Sequence, residues 1–150
     1  MIKVLFVCLA NVCRSPMAEG MFKSYVKQKG IEDKFIFESR AIKNWENLKV
    51  HDETLNQIKA LDVDMKDKTS KPISERDFIE FDYIIGMDKL NTKFLKSFEE
   101  GYYQSKVHTY IPKKNVPDPM ITGDFNKTYK LIKKQVDYWF DTWLKKEENL

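Results

Sequence analysis

A run of four apolar residues, Val4 to Val7, leads through a short loop directly into a helical pattern, and this order limits the folds open to the chain. An apolar run of this length, followed by a loop, predicts a strand over 2–7 that is buried on both faces. Pro16 suits the start of a helix, and apolar residues then recur at helical spacing as far as Gly30. We therefore expect a buried strand followed by a helix over 15–29.

The rest of the sequence repeats this alternation. Further strands are predicted over 34–38, 82–87 and 106–111, and helices over 52–61, 74–80, 89–98 and 125–144. Asp52 and Asp88 are candidate N-terminal caps, and Glu19 is expected to complement the dipole of the first helix from its first turn. The alternation predicts a single doubly wound α/β domain over 1–150, with a four-stranded parallel sheet and helices on both faces. In such folds ligands bind beyond the carboxyl ends of the strands.

The loop after the first strand has the composition of an anion site. Cys8 ends the strand and Arg14 opens the helix, and the residues between them are Leu9, Ala10, Asn11, Val12 and Cys13. Five residues are enough to form a cup of inward-pointing backbone amides, and a thiolate is favoured beside a helix N-terminus and a guanidinium. Arg14 offers a planar fork for two phosphoryl oxygens, while Ser15 can donate to the sulfur or cap the helix. The pattern predicts a nucleophile that acts on phosphate.

A proton donor is predicted on the loop that follows the fourth strand. Asp118 lies between Pro117 and Pro119, which stiffen the backbone and argue against a helix or central strand there. The parallel topology brings this loop to the same sheet edge as Cys8. We expect Cys8 to attack phosphorus while Asp118 protonates the leaving oxygen and later activates water. Arg14 and the loop amides would hold the equatorial oxygens.

These motifs resemble those of the low-molecular-weight protein tyrosine phosphatases. The resemblance covers 4–19, 81–88 and 117–119, in the family's order along essentially the whole chain. It implies hydrolysis of phosphotyrosine without a metal or other cofactor. Cys8 would be the nucleophile and Asp118 the general acid.

The resemblance also implies roles for residues around the cup. Asn11, Ser15 and Ser39 would hold the cup in shape through side-chain hydrogen bonds, with Asn11 in the left-handed conformation that asparagine tolerates. Trp45 would form an aromatic wall against the substrate ring. Cys13 would back the loop, and under peroxide it could form a reversible disulfide with the nucleophile.

Several positions depart from the family pattern. Ala10 replaces the usual glycine, and Arg40 stands where the family carries small residues, which puts a cation near the pocket edge. Lys68, or else Ser70, takes the place of a histidine in the loop network. Two tyrosines that often follow the Asp-Pro pair are replaced, which removes a second aromatic wall and two phosphorylation sites. The replacing residues are Met120 and Ile121.

Two other functions share part of this pattern. An arsenate reductase on the same fold would need further cysteines to relay a disulfide, whereas this chain has two cysteines in all, Cys8 and Cys13. A non-catalytic phosphate-binding module would require neither Cys8 nor Asp118. The phosphatase interpretation accounts for both Cys8 and Asp118.

Composition restricts the partners. The chain has 26 basic and 23 acidic residues in mixed order, which predicts no nucleic-acid surface. No apolar segment predicts membrane insertion, and two cysteines without a secretory signal indicate a reducing, cytoplasmic setting. We expect a monomer that acts on phosphotyrosine-containing proteins and binds phosphate or other oxyanions as product or inhibitor.

Overall fold

A parallel sheet forms the centre of the chain, as predicted. The computed structural model describes residues 1–148, and within them four strands pair in the order β2-β1-β3-β4, all in parallel. The strands are β1 (Ile2–Cys8), β2 (Phe35–Ala41), β3 (Tyr83–Gly86) and β4 (Val107–Thr109). Because β1 lies between two neighbours, its last residues are the natural centre of the carboxyl edge of the sheet.

Helices occupy the connections between the strands. They are α1 (Arg14–Gln28), α2 (Asp52–Ile58), α3 (Glu75–Glu80), α4 (Lys89–Ser97), α5 (Pro119–Thr122), α6 (Phe125–Lys134) and α7 (Val136–Glu148). None of the described helices combines the length and apolar character needed to cross a bilayer. α1 begins one residue earlier than predicted and ends in a Schellman motif, in which Gly30 has a positive φ of 67°.

Two cores confirm that helices cover both faces of the sheet. Alternate β1 side chains point to opposite faces, so Val4 and Phe6 join a large core with α1, α6 and α7. Leu5 and Val7 join a smaller core with α3 and α4. Phe6 and Phe22 are fully buried with ring centroids 4.8 Å apart. Burying each phenyl side chain contributes about 1.5–3 kcal/mol, which anchors α1 against the strand that ends at Cys8.

The final helix differs from the prediction because it is two helices rather than one over 125–144. The break falls at Gln135, whose N–H bonds the Ile132 carbonyl at 3.2 Å. That carbonyl also accepts a 2.6 Å bond from the buried Tyr110 hydroxyl. The Trp139 indole donates to the Tyr110 carbonyl at 3.0 Å. Tyr110 therefore ties both helices to the sheet and takes up a carbonyl at the end of α6, an interaction that apolar spacing does not reveal.

Two helix starts also differ from expectation. Asp88 caps α4 as predicted, but the cap of α2 is the imidazole of His51, which accepts from the Glu53 amide at 3.0 Å, rather than Asp52. Glu19 lies beyond the first turn of α1 and is buried, so it does not act as a surface charge on the helix dipole.

Candidate active site

The loop after β1 forms the predicted cup at the carboxyl edge of the sheet. Cys8 is the last residue of β1, paired with Ala41 of β2. The chain then turns at Asn11, whose φ of 59° confirms the left-handed conformation. Contacts from outside hold the turn, since the His51 amide donates to the Val12 carbonyl at 2.9 Å. The cup is therefore braced by the segment before α2 as well as by its own sequence.

A line of buried hydrogen bonds runs from the sulfur of Cys8 into the protein. The Sγ atom lies 3.0 Å from the Ser15 Oγ atom. The Asn11 side-chain amide donates to Ser15 Oγ at 2.8 Å and to Ser39 Oγ at 2.9 Å. Because Ser15 already accepts from Asn11, its own proton is free for the sulfur. Ser39 in turn donates to Glu19 at 2.6 Å, so each hydroxyl has a defined direction.

Glu19 is the residue of this network that sequence reasoning missed. Its side chain is 3 % exposed and accepts from Lys23 at 2.6 Å, while Lys68 lies 3.2 Å away. Lys68 also donates to the Ser39 carbonyl at 2.9 Å. Burial lowers the pKa of Lys68, and the Glu19 carboxylate opposes that shift. An acid on the apolar face of the α1 pattern was the signal that could have identified it.

Ser70 has a different place from the one predicted. Its hydroxyl accepts from the Leu48 amide at 2.9 Å and donates to the Trp45 carbonyl at 3.2 Å. It therefore holds the loop that carries Trp45, whereas Lys68 contacts the network around Ser39.

Arg14 is fixed below the mouth of the cup by carboxylates from two loops. Its guanidinium is almost fully buried and donates to Asp88 at 2.7 Å and to the Val116 carbonyl at 3.0 Å. The Asp118 carboxylate lies 3.7 Å from its other terminal nitrogen. Sequence reasoning gave Asp88 a capping role alone, but one oxygen caps α4 at the Asn91 amide and the other holds Arg14. The bidentate fork is thus oriented before any substrate arrives.

A glycine lets α4 come close enough to supply that carboxylate. A Cβ atom added to Gly86, the last residue of β3, would lie 2.9 Å from the backbone nitrogen of Thr92. Any residue with a Cβ atom at this position would therefore push α4 away from the sheet. Gly86 is in register with Val7, next to Cys8, so this contact sets the position of Asp88 relative to Arg14.

Asp118 lies at the start of a helix, which the flanking prolines had argued against. Pro119 takes the first position of α5, where its missing N–H costs nothing. The Asp118 side chain accepts from the Met120 amide at 3.0 Å. One carboxylate oxygen therefore caps α5, and the other faces Arg14.

A pocket of about 290 Å³ opens above the cup. Its lining residues are Cys8, Leu9, Ala10, Val12, Cys13, Arg14, Trp45, Leu48, Asp118 and Met120. Leu48 was not predicted. Ile121 is 85 % exposed and is not among the lining residues. Arg40 was expected at the pocket edge, but it is buried with its guanidinium on Asp77 at 3.3 Å and Glu38 at 3.4 Å.

Both cysteines of this pocket are free thiols, and their surroundings differ. Burial raises the pKa of Cys13 to about 12, with Cys8 and Asp118 adding to the rise, although Thr54 and Arg14 act in the opposite direction. Cys13 therefore stays protonated at neutral pH. The reversible disulfide between the two cysteines stays a prediction.

Alkylation measures whether Cys13 is protonated in the folded protein. The thiolate is the species that reacts, so folded Cys8→Ser protein is expected to take up no iodoacetamide at about pH 8. After unfolding in urea, the single remaining thiol should react, as counted by mass spectrometry. The Cys13→Ser variant is the counterpart, in which Cys8 is the remaining thiol. Rapid labelling of Cys13 in the folded Cys8→Ser variant would contradict the expectation.

Comparison with known proteins agrees with the geometry. The family model "Low molecular weight phosphotyrosine protein phosphatase" matches residues 3–150. The low molecular weight protein-tyrosine-phosphatase YfkJ of Bacillus subtilis is 36% identical over 140 residues, 89% of this chain and 90% of that protein. Its crystal structure superposes with a TM-score of 0.90 at 34% identity, covering 97% of this chain and 96% of that one. The crystal structure of SP-PTP, the low molecular weight protein tyrosine phosphatase from Streptococcus pyogenes, is 42% identical in sequence. It superposes with a TM-score of 0.86 and covers 95% of this chain and 93% of that one.

Proposed function

The chain belongs to the low molecular weight phosphotyrosine protein phosphatase family, and we propose that its pocket hydrolyses phosphotyrosine through a phosphorylated Cys8. Membership confirms the resemblance drawn from the sequence motifs. The observation that carries the mechanism is the meeting of Cys8, Arg14 and Asp118 in one pocket, although more than 100 residues separate the first from the last.

The first step is attack of the Cys8 sulfur on phosphorus. The equatorial oxygens would take the cup amides and the guanidinium fork of Arg14, which Asp88 and Val116 already hold in place. A fork fixed in advance loses little entropy on binding. The Ser15 hydroxyl, which lies 3.0 Å from the sulfur and can donate to it, would stabilise the thiolate and then improve it as the leaving group.

Asp118 supplies and recovers the proton. Its carboxyl group lines the pocket beside Arg14, and its position on α5 is set by the capping bond to Met120. In the first step it protonates the phenolic oxygen of the departing tyrosine. In the second step the same carboxylate takes a proton from water, which attacks the cysteinyl-phosphate and releases inorganic phosphate.

The alternative functions are not favoured. An arsenate reductase would need a relay cysteine, and the sequence holds Cys8 and Cys13 only, the latter protonated by burial. A module that only binds phosphate would have no use for Asp118 beside the fork. The named relatives are tyrosine phosphatases.

We propose that selectivity for tyrosine over serine follows from the burial of Cys8. Cys8 is 3 % exposed, whereas Trp45, which lines the same pocket, is 49 % exposed. The phenyl ring of phosphotyrosine carries its phosphate far enough from the peptide backbone to approach a buried sulfur, whereas the short side chain of phosphoserine does not. In EDTA, we expect phosphate release from a phosphotyrosine peptide and none from the matching phosphoserine peptide. Equal rates on the two peptides, or a requirement for added metal, would overturn the proposal.

Replacing Asp118 tests the acid role separately from the capping role. Asp118→Asn keeps a capping oxygen but removes the proton, so turnover of phenyl phosphate should fall by roughly 10²–10⁴-fold. The loss should be smaller for p-nitrophenyl phosphate, whose leaving group needs little protonation. Asp124→Asn is the matched control, because Asp124 also caps a helix, at the Lys127 amide. An equal loss on both esters would argue that Asp118 acts only through structure.

We extend the proposal to the setting of the enzyme. Its substrates would be proteins that carry phosphotyrosine, and phosphate would bind weakly as product. The two reduced, buried cysteines suit a reducing compartment, which supports a cytoplasmic location. We propose that the chain works as one domain and as a monomer.

A further inference from the structure

Exposed apolar side chains surround the mouth of the pocket. Four of them line the pocket and are 38–60 % exposed. We call these four the apolar rim: Leu9, Trp45, Leu48 and Met120. Single exposed apolar residues are ordinary on a protein surface, but a group of them around one opening marks a contact surface.

The residues that line the pocket offer an acidic side chain little to pair with. None of the described lining residues is a lysine, and the cation among them is Arg14, which is already paired with Asp88 and lies near Asp118. An acidic side chain laid over these residues would therefore lose hydration without gaining a free charged partner among them, whereas an apolar side chain gains free energy from burial.

The rim is also held rigid. Ser70 bonds both the Trp45 carbonyl and the Leu48 amide, and its own amide donates to the Leu48 carbonyl at 2.8 Å. On the other side of the opening, the capping bond from Asp118 fixes the start of α5, which carries Met120. A surface ordered before binding loses little conformational entropy when a peptide packs on it.

We infer that the apolar rim selects phosphotyrosine sites whose neighbouring residues are bulky and apolar. The inference rests on the proposed function, since the rim can only act on peptides that the pocket accepts. Residues of an extended peptide lie about 3.3 Å apart along the chain, and alternate side chains share a face. While the phosphotyrosine side chain points into the pocket, the side chains two positions before and two positions after it therefore face the rim. Leucine, isoleucine or phenylalanine side chains bury apolar surface there, and glutamate or aspartate does not.

Three phosphotyrosine peptides of equal length, with leucine, alanine or glutamate two positions before and two positions after the phosphotyrosine, test the inference. We expect kcat/KM to fall in that order, with leucine exceeding glutamate by about tenfold or more. Met120→Lys and Leu48→Lys should each reduce the leucine-to-glutamate ratio several-fold, because each removes apolar contact and adds a partner for glutamate. Ile79→Lys is the matched control, since Ile79 is 63 % exposed on α3 and does not line the pocket.

Activity on p-nitrophenyl phosphate distinguishes failure of the inference from failure of the proposed function. If the enzyme hydrolyses this ester but has equal kcat/KM on the three peptides, or prefers glutamate, the inference is overturned and the proposed function stands. An unchanged ratio in both rim variants would also overturn it. Failure to hydrolyse the ester and the peptides alike would overturn the proposed function instead.

Discussion

Cys8→Ser protein is expected to hydrolyse neither aryl phosphates nor phosphotyrosine peptides, with a loss on the order of 10⁴-fold or more. A serine hydroxyl is a nucleophile only when an adjacent base takes its proton. The partner of residue 8 is the Ser15 hydroxyl, which already accepts from Asn11 and so donates toward position 8. Ser15 therefore does not act as a base on the new hydroxyl, which is far less acidic than a thiol. Residue 8 stays protonated and attacks phosphorus poorly.

The variant should keep its oxyanion site, which separates lost chemistry from lost structure. The cup amides and the Arg14 fork, held by Asp88, do not depend on the sulfur. Isothermal titration with phosphate should therefore still report binding by Cys8→Ser. Turnover within tenfold of the wild type would remove Cys8 as the nucleophile. Loss of oxyanion binding together with activity would mean that the sulfur holds the cup in shape.

Arg14→Lys should lose activity on the order of 10³-fold despite keeping the charge. Arginine uses one terminal nitrogen for both Asp88 and the Val116 carbonyl, which leaves its Nε and its other terminal nitrogen for the phosphate oxygens. A lysine ammonium is a single point and cannot hold these anchors and two equatorial oxygens in the same plane. The rate should fall in kcat more than in KM, since the fork matters most for charge that develops in the transition state.

Arg76→Lys is the matched control for this change, because Arg76 is exposed on α3. It should leave kcat and KM as in the wild type. Steady-state kinetics on p-nitrophenyl phosphate measure both variants. A loss below tenfold in Arg14→Lys would mean that the backbone amides alone clamp the phosphoryl group.

The local sequence was sufficient to predict the nucleophile loop. An apolar run, five loop residues, an arginine and a proline determine strand, cup and helix within one short segment, and the structure has all three there. The interactions involved are local, such as Asn11 tolerating a positive φ and Pro16 suiting the first turn. Neither depends on how distant parts of the chain pack.

The partners of these residues could not be predicted in the same way. Asp88 reaches Arg14 across 74 positions, and Glu19 reaches Lys68 by packing α1 over the loop after α2. Each pair depends on helix positions that arise only when both faces of the sheet are covered. The same applies to Tyr110, whose buried hydroxyl takes the Ile132 carbonyl where the apolar pattern continues without interruption.

The side chain of Arg40 lies on the other face of the sheet from the one that the family pattern predicted. Ser39 and Arg40 are neighbours on β2, and alternation sends their side chains to opposite faces of the sheet. Ser39 therefore joins the cup network, while Arg40 turns to Asp77 on α3. Matching the stretch to a family pattern put a cation at the pocket, but strand register puts it on the other face.

By itself, the sequence determined the alternating fold and the loop between β1 and α1, and it named Cys8, Arg14 and Asp118 as candidate reactive groups, because those inferences depend on spacing along the chain and on residue chemistry. Tertiary structure alone decided what holds Arg14, which hydrogen bonds support the sulfur of Cys8, and that apolar side chains such as Leu48 and Met120 line the opening. Those features arise from contacts between segments far apart in sequence, and such contacts exist only after the helices have packed on the sheet.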